Sequence, residues 1–235
     1  MWWIWTIAAA IILVLMGFLV YASASISSGV YVKALCHGKA DQPVVALTFD
    51  DGPDEDMTPK VLDVLRRHGV RATFFLVGEK AARNPEIVRQ ILKEGHLIGN
   101  HTWSHSPFFP TWNFTKVEKE LAGTEAAVED ITGKRMKLFR PPFGVTNPVI
   151  GRAVRHKEYV AVGWSVRSLD TDLKCSRETV CRRVMDRMHN GAVVLLHDRL
   201  PEADRLLEMI LQNLEKSGMR VVGTDELLEF HAYED

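Results

Sequence analysis

The stretch VVALTFDDGPDED, residues 44–56, decides the fold and raises the first chemical question. Val44 to Phe49 is apolar and rich in β-branched residues, which reads as a buried strand. The run ends in two adjacent carboxylates, Asp50 and Asp51, and breaks at Gly52-Pro53. Neighbouring side chains on a strand point to opposite faces, so the two aspartates cannot share one task there. Side by side they also repel unless something positive lies between or beside them. A metal ion is the obvious candidate.

Outward from this strand the chain alternates. Thr58-Pro59 opens a helical pattern of Val61, Leu62 and Leu65 that stops at Gly69, with Pro just inside the start and Gly just past the end. Ala72–Val77 predicts a second strand, Asn84-Pro85 a helix stopped by Gly95, and His96–Gly99 a third strand. Thr115 with Glu118 forms a capping-box signature for a helix ending near Gly133. Leu138–Arg140, Tyr159–Trp164, Ala192–His197 and Arg220–Val222 read as four further strands. Helices are expected from Asn147-Pro148, from about Ser176, over Glu202 to Ser217 with Gly218 as stop, and from Thr224. Regular alternation of this kind argues for parallel βα units. Seven of them in one domain predict a closed or nearly closed α/β barrel, with an open doubly wound sheet as the alternative. No Gly-x-Gly-x-x-Gly follows the first strand, which argues against a nucleotide-binding version of that sheet.

The 235-residue chain has a net charge of -1, so no basic face for nucleic acid is expected and the substrate should be neutral or recognised locally. Trp2 to Ala22 carries no charged residue, and the first lysine is Lys33. An apolar run of about 20 residues spans a bilayer. Trp2, Trp3 and Trp5 suit an interfacial belt. Residues 1–25 are therefore expected to be a retained transmembrane anchor that holds the catalytic domain outside the cytoplasm. The alternative is a signal peptide removed at Ala22-Ser23-Ala24, which would release the domain. Residues 26–42 read as a short polar linker, and 43–235 as the catalytic domain. The three cysteines form no Cys-x-x-Cys pair. Cys175 and Cys181 read equally as a small-loop disulfide or as two buried thiols.

In a βα barrel, function collects at the C-terminal ends of the strands. Those ends carry Asp50 and Asp51, His101 and His105, Arg140, Asp170 and His197. His101 and His105, at i and i+4, share a face on a helical turn. Two imidazole nitrogens and one carboxylate oxygen suit zinc with a position left for water. These are the groups that metal-assisted hydrolysis requires.

TFDDGP at 48–53, HTWSH at 101–105, RPPFG at 140–144 and LLH at 195–197 resemble, in order, the motifs of the polysaccharide deacetylase family, the NodB homology domain of carbohydrate esterase family 4. The resemblance runs from about Val44 to the C-terminus. It implies a distorted (β/α)7-type TIM-like barrel and removal of acetyl groups from N- or O-acetylated sugars. It also implies that Asp51, His101 and His105 bind a divalent metal, zinc first and cobalt second. Asp50 would then be the general base, His197 the acid that protonates the leaving amine, and Arg140 the residue that orients Asp50. Pro142, Phe143, Trp164 and Leu195 would belong to the substrate pocket, with a backbone N–H near Phe143 facing the developing oxyanion.

One motif departs from the family pattern. Many relatives carry Trp-x-x-Asp-x-x-Asp-Trp after the fifth strand, whereas this chain has Trp164-Ser-Val-Arg167-Ser-Leu-Asp170-Thr171. Asp170 is expected to pair with Arg140 or Arg167. The altered motif also admits a catalytically silent glycan-binding protein, and the reactive core alone admits a metal amidase or esterase on a non-sugar substrate. Phe108, Phe109, Trp112 and Phe114 crowd the loop after His105, where packing against the barrel competes with sugar stacking.

Overall fold

The computed structural model describes residues 2–39 and 41–234; Met1, Ala40 and Asp235, which fall in the expected anchor, linker and domain, lie outside the described residues. The opening strand β1 (Val44–Gly52) stands in the middle of a parallel sheet, between β2 (Thr73–Leu76) and β7 (Val193–His197). The sheet continues through β3 (Leu97–Asn100), β4 (Leu138–Phe139) and β5 (Val160–Ala161) on one side and ends at β6 (Val166–Arg167) on the other. β8 (Arg220–Val221) joins the start of β1. The result is a curled, distorted (β/α)7-type barrel rather than an open doubly wound sheet.

Helices cover the outer face of the curled sheet and side chains fill its inner face, which is why β1 is buried along its length and reads as a continuous apolar run. α2 (Met57–His68) and α5 (Phe114–Thr132) stop at Gly69 and Gly133, both left-handed at φ 62° and 67°. There glycine avoids the Cβ clash of any other residue. Asn113, rather than Thr115, caps α5: its side chain accepts the Lys116 N–H, so the capping box is not the device used. α6 (Pro148–His156) and α7 (Arg177–Asp186) are capped by Asn147 and Ser176. α8 (Ala203–Lys216) buries Leu206, Leu207, Ile210, Leu211 and Leu214 on one stripe, and the short α9 is Thr224–Leu228. Two short helices, α3 (Gly78–Arg83) and α4 (Pro85–Lys93), occupy the space where one was expected.

The expected fifth strand, Tyr159–Trp164, is cut after Ala161. The reason lies in Arg140, whose guanidinium takes the Val162 and Gly163 carbonyls at 2.9 and 2.7 Å. These carbonyls are used by a side chain; Val162 is bridged only by Leu35, from outside the named strands, and the next strand of the sheet is β6.

α1 (Trp2–Ala24) buries only Ala22 and is long and apolar enough to cross a membrane. The stretch read as a linker packs onto the domain. Ile26, Val32 and Cys36 are buried, Leu35 bridges Val162, and His37 bridges Ala192, beside the break between β5 and β6. All three cysteines are free thiols, so Cys175 and Cys181 are not bridged.

Candidate active site

The end of β1 breaks the alternation rule. Asp50 pairs with Phe75 but Gly52 with Leu76, which leaves Asp51 as the extra residue of a β-bulge at φ 72°. The bulge turns Asp51 toward the same cleft as Asp50, so the two carboxylates face one site after all.

Asp50 is held by one cation. Arg140, fully buried at the end of β4, donates from Nη1 to Asp50 Oδ1 and to Thr48 Oγ1, both at 2.7 Å. Its guanidinium also lies 4.2 Å from the centre of the Phe75 ring. Burial alone lowers the Arg140 pKa, and the Asp50 charge counters it. A buried pair of this kind is worth keeping only if the remaining donors are satisfied, and here the carbonyls of Val162 and Gly163 do that.

Asp51 is shared by three histidines and an arginine. Its Oδ1 lies 3.4 Å from His101 Nε2 and 3.1 Å from His105 Nε2, while Oδ2 accepts from Arg199 Nε at 2.9 Å. His197 Nε2 is 4.0 Å away. Burial works to raise the Asp51 pKa, but the neighbouring His101, His105 and His197 hold it well below the usual carboxylate range. Lys80 Nζ donates to the Asp51 carbonyl at 2.7 Å and pins the bulge from below.

His101 follows β3, and its Nδ1 sits 2.7 Å from the Arg140 carbonyl oxygen. That oxygen only accepts, so Nδ1 carries the proton and the Nε2 lone pair faces the site. His101 and His105 do not lie on a helical turn. The chain between them is a loop with Thr102 at φ 68° and His105 at φ 48°, tied by the His105 N–H to Thr102 Oγ1 and by the Thr102 N–H to Asn100 Oδ1. The rings still meet, 4.9 Å apart. Burial pushes His105 down to about 4, so it is neutral near pH 7 and free to ligate. The ligand atoms of Asp51, His101 and His105 lie within 4.8 Å of one another. Asp51 Oδ1 is buried without a hydrogen-bond donor, as an atom that binds a cation would be.

His197 ends β7, directly beside Asp50 in register. Asp170 Oδ1 accepts from its Nδ1 and Oδ2 from its backbone N–H, both at 2.8 Å, while Ser168 Oγ donates to Oδ1. This corrects the expected pairing of Asp170 with Arg140 or Arg167. The left-handed turn at Leu169, φ 55°, aims Asp170 across β6 at β7, and Arg140 is already fully engaged. Burial works to lower the His197 pKa, but Asp170, with Asp50 and Asp51 behind it, raises it.

The cleft above these groups has a volume of about 240 Å³, and its walls include Trp164, Leu195, Phe143 and Gly144. Phe143 is half exposed and meets His105 edge-on, with ring centres 4.8 Å apart. Pro142 is buried beneath the wall and does not line it. Arg167 does line it, on β6, and its guanidinium makes no ion pair among the described residues. In the aromatic loop Phe109 is buried with Val117 and Leu121, Trp112 and Phe114 pack on the same cluster, and only Phe108 is left exposed.

Sequence reasoning missed Arg199, Lys80 and Asp198. Asp198 is fully buried, accepts from Thr58 Oγ1 at 2.5 Å, and is pushed up to about 7 by burial. Its carboxyl lies against Gly52, where a Cβ would collide with it, so the glycine is required by close approach. Proximity to His197 in LLHDR was the available signal for Asp198 and Arg199. Lys80 gave none.

The fold and this cleft define a class. The polysaccharide deacetylase family model matches residues 37–162. The chain belongs to that family, the NodB-like carbohydrate esterase family 4 of polysaccharide-deacetylating enzymes. It is similar to a peptidoglycan-N-acetylglucosamine deacetylase of Bacillus cereus, with 37% identity over 194 residues that cover 81% of this chain and 90% of that one. It is also similar to the peptidoglycan-N-acetylmuramic acid deacetylase PdaA of Bacillus subtilis, at 32% identity over 81% of this chain and 73% of the other. A crystal structure of a peptidoglycan N-acetylglucosamine deacetylase bound to 4-naphthalen-1-yl-N-oxidanyl-benzamide superposes with a TM-score of 0.79. It shares 34% identity and covers 85% of this chain and 94% of its own.

Proposed function

We propose that this protein hydrolyses the N-acetyl group of peptidoglycan amino sugars, of the glucosamine or muramic acid type, outside the cytoplasm and at the membrane. The observation that carries the reading is the adjacency of Asp50 and His197 on β1 and β7, each held by a buried partner of opposite charge. The similar peptidoglycan deacetylases supply the substrate class. A catalytically silent protein would have no reason to keep both pairs.

The donor set fits a divalent cation on Asp51, His101 and His105, and two nitrogens with one oxygen favour zinc, with cobalt second. Such an ion would supply a Lewis acid for the acetyl carbonyl and a more acidic water. The chain's own groups do the rest. Arg140 occupies Asp50 Oδ1, which leaves Oδ2 to take the proton of the attacking water. Asp170 holds His197 by Nδ1, so that Nε2–H is presented to the departing amine. An amine leaves poorly without that proton. Trp164, Leu195 and Phe143 form the walls that orient the sugar and exclude water.

α1 is read as a retained anchor. The cleavage-like Ala22-Ser23-Ala24 is helical, Ala22 is fully buried, and its carbonyl and that of Ser23 accept from Thr146. A last turn built into the folded domain in this way favours a helix that stays attached to it.

The test is acetate release from N-acetylated peptidoglycan fragments by the full-length protein supplied with zinc or cobalt. Wild type should release acetate stoichiometrically with free amine. His101→Ala should lose both activity and bound metal by elemental analysis. A wild type that binds metal yet releases no acetate from any acetylated glycan would refute the assignment.

A further inference from the structure

α1 is not joined to the barrel by a flexible tether. Its last turn is fastened to the loop that follows β4: the Thr146 N–H donates to the Ser23 carbonyl at 2.9 Å and Thr146 Oγ1 to the Ala22 carbonyl at 3.2 Å. Ala22 and Thr146 are buried, and Ile26, just past the helix, packs against Gly163. No other residue of α1 is buried, so the helix touches the domain with this turn and leaves it there.

The point of attachment is on the catalytic rim. Thr146 lies three residues beyond Phe143, which lines the cleft. Three residues span at most roughly 10 Å, so the end of the apolar helix and the wall of the cleft are within that reach of one another. Tyr21, an interfacial residue type, closes the apolar run one residue before the buried Ala22.

A second, independent observation concerns the rest of the surface. From residue 41 onward, the exposed large apolar side chains among the described residues are Phe108, Phe143, Leu169 and Leu173. All four sit on loops that follow strands: Phe108 after β3, Phe143 after β4, Leu169 and Leu173 after β6. In the segment between α1 and β1, Val30 and Leu35 are exposed as well, at 44% and 37%, and Leu35 lies beside Leu227 and Leu228 away from the rim. Beyond α1 the three most exposed large apolar side chains, Phe108, Leu173 and Phe143, are thus at the end from which a membrane helix departs, which fits the interfacial layer of a bilayer.

We propose that the rim is apposed to the membrane surface, with Phe108 and Leu173 inserted in the interfacial layer and the cleft opening along it. The enzyme then acts on an acetylated amino sugar tethered to a membrane lipid, and reaches free oligosaccharide poorly. This rests on the reading of α1 as a retained anchor and of the cleft as a deacetylase site, and it adds the orientation and the physical state of the substrate.

Apposition is tested without catalysis. The full-length protein is reconstituted in phosphatidylethanolamine/phosphatidylglycerol vesicles that contain nitroxide-labelled lipid. A bimane fluorophore is placed at Leu173→Cys or, for comparison, at Lys216→Cys on the far end of α8, in a Cys175→Ser background; Cys36 and Cys181 are buried. Quenching at 173 and its absence at 216 is the expected result, and equal quenching at both overturns the proposal. Phe108→Cys replaces the first site if that variant does not fold. Acetate release is then compared for one acetylated tetrasaccharide, lipid-tethered in the vesicles or free in solution. Confinement should favour the tethered form by roughly tenfold or more. Phe108→Ser/Leu173→Ser should lose that preference while keeping the rate on free substrate. Equal wild-type rates overturn the substrate assignment. Selective quenching with no acetate from either form upholds the apposition and rejects the deacetylase reading.

Discussion

At the rim, Asp50–Arg140 and Asp170–His197 each join an ionisable side chain to a buried partner, at 2.7 and 2.8 Å, with the signs reversed. In the first pair a permanent cation faces the carboxylate proposed to accept a proton. In the second an anion faces the imidazole proposed to deliver one. The pairs also differ in how they are built. Arg140 is part of the barrel wall, with donors spent on Thr48, Val162 and Gly163 as well as Asp50. Asp170 hangs on a turn after β6 and is tied chiefly to His197 and Ser168. On the proposed mechanism a fixed charge gives each residue its direction of proton transfer, so that the same two-atom contact would serve a base in one place and an acid in the other.

Breaking the base side should have the largest effect. Asp50→Asn keeps the Arg140 contact but removes the proton acceptor, so kcat should fall by roughly 10²–10⁴-fold. Metal content should be unchanged. Substantial remaining turnover would remove Asp50 from the mechanism.

Weakening the acid side should give a smaller and pH-dependent effect. Asp170 raises the His197 pKa, so the protonated acid persists to higher pH than it would alone. Asp170→Asn removes that support and leaves burial to lower the pKa. The alkaline limb of the pH–rate profile should therefore move to lower pH, by about one unit for each 1.4 kcal/mol of lost interaction. Activity well below that limb should be less affected. A limb that stays in place would show that Asp170 acts on something other than His197.

Arg199→Ala sharpens the comparison from outside both pairs. Arg199 holds Asp51 Oδ2, so its loss should loosen the candidate ligand and weaken metal affinity about tenfold, measured by competition with a chelating dye. At saturating metal, turnover should be nearly that of wild type. A full loss of turnover at saturating metal would place Arg199 on the substrate instead.

Much of this was legible along the chain because it is local. The apolar run to Phe49, the proline-opened helices and the glycine stops at 69, 133 and 218 act through propensity and backbone sterics that need no distant partner. The residue types at strand ends were equally visible, and Asp50, Asp51, His101, His105, Arg140 and His197 do line or support one cleft.

What the chain could not announce was who meets whom. The bulge that turns Asp51 toward Asp50 exists because β2 takes up Gly52 one residue late. The break after Ala161 coincides with an arginine just beyond β4 that claims two carbonyls. Asp170 chose a histidine over two arginines by the turn that aims it, and the presumed linker became part of the barrel wall through Leu35 and His37. Sequence alone determined most of the elements, their order and the chemical inventory of the rim, since these depend on contacts a few residues apart. Tertiary structure alone decided the pairings, because a side chain's partner is set by the packing of strands distant in the chain and leaves no periodic trace in it.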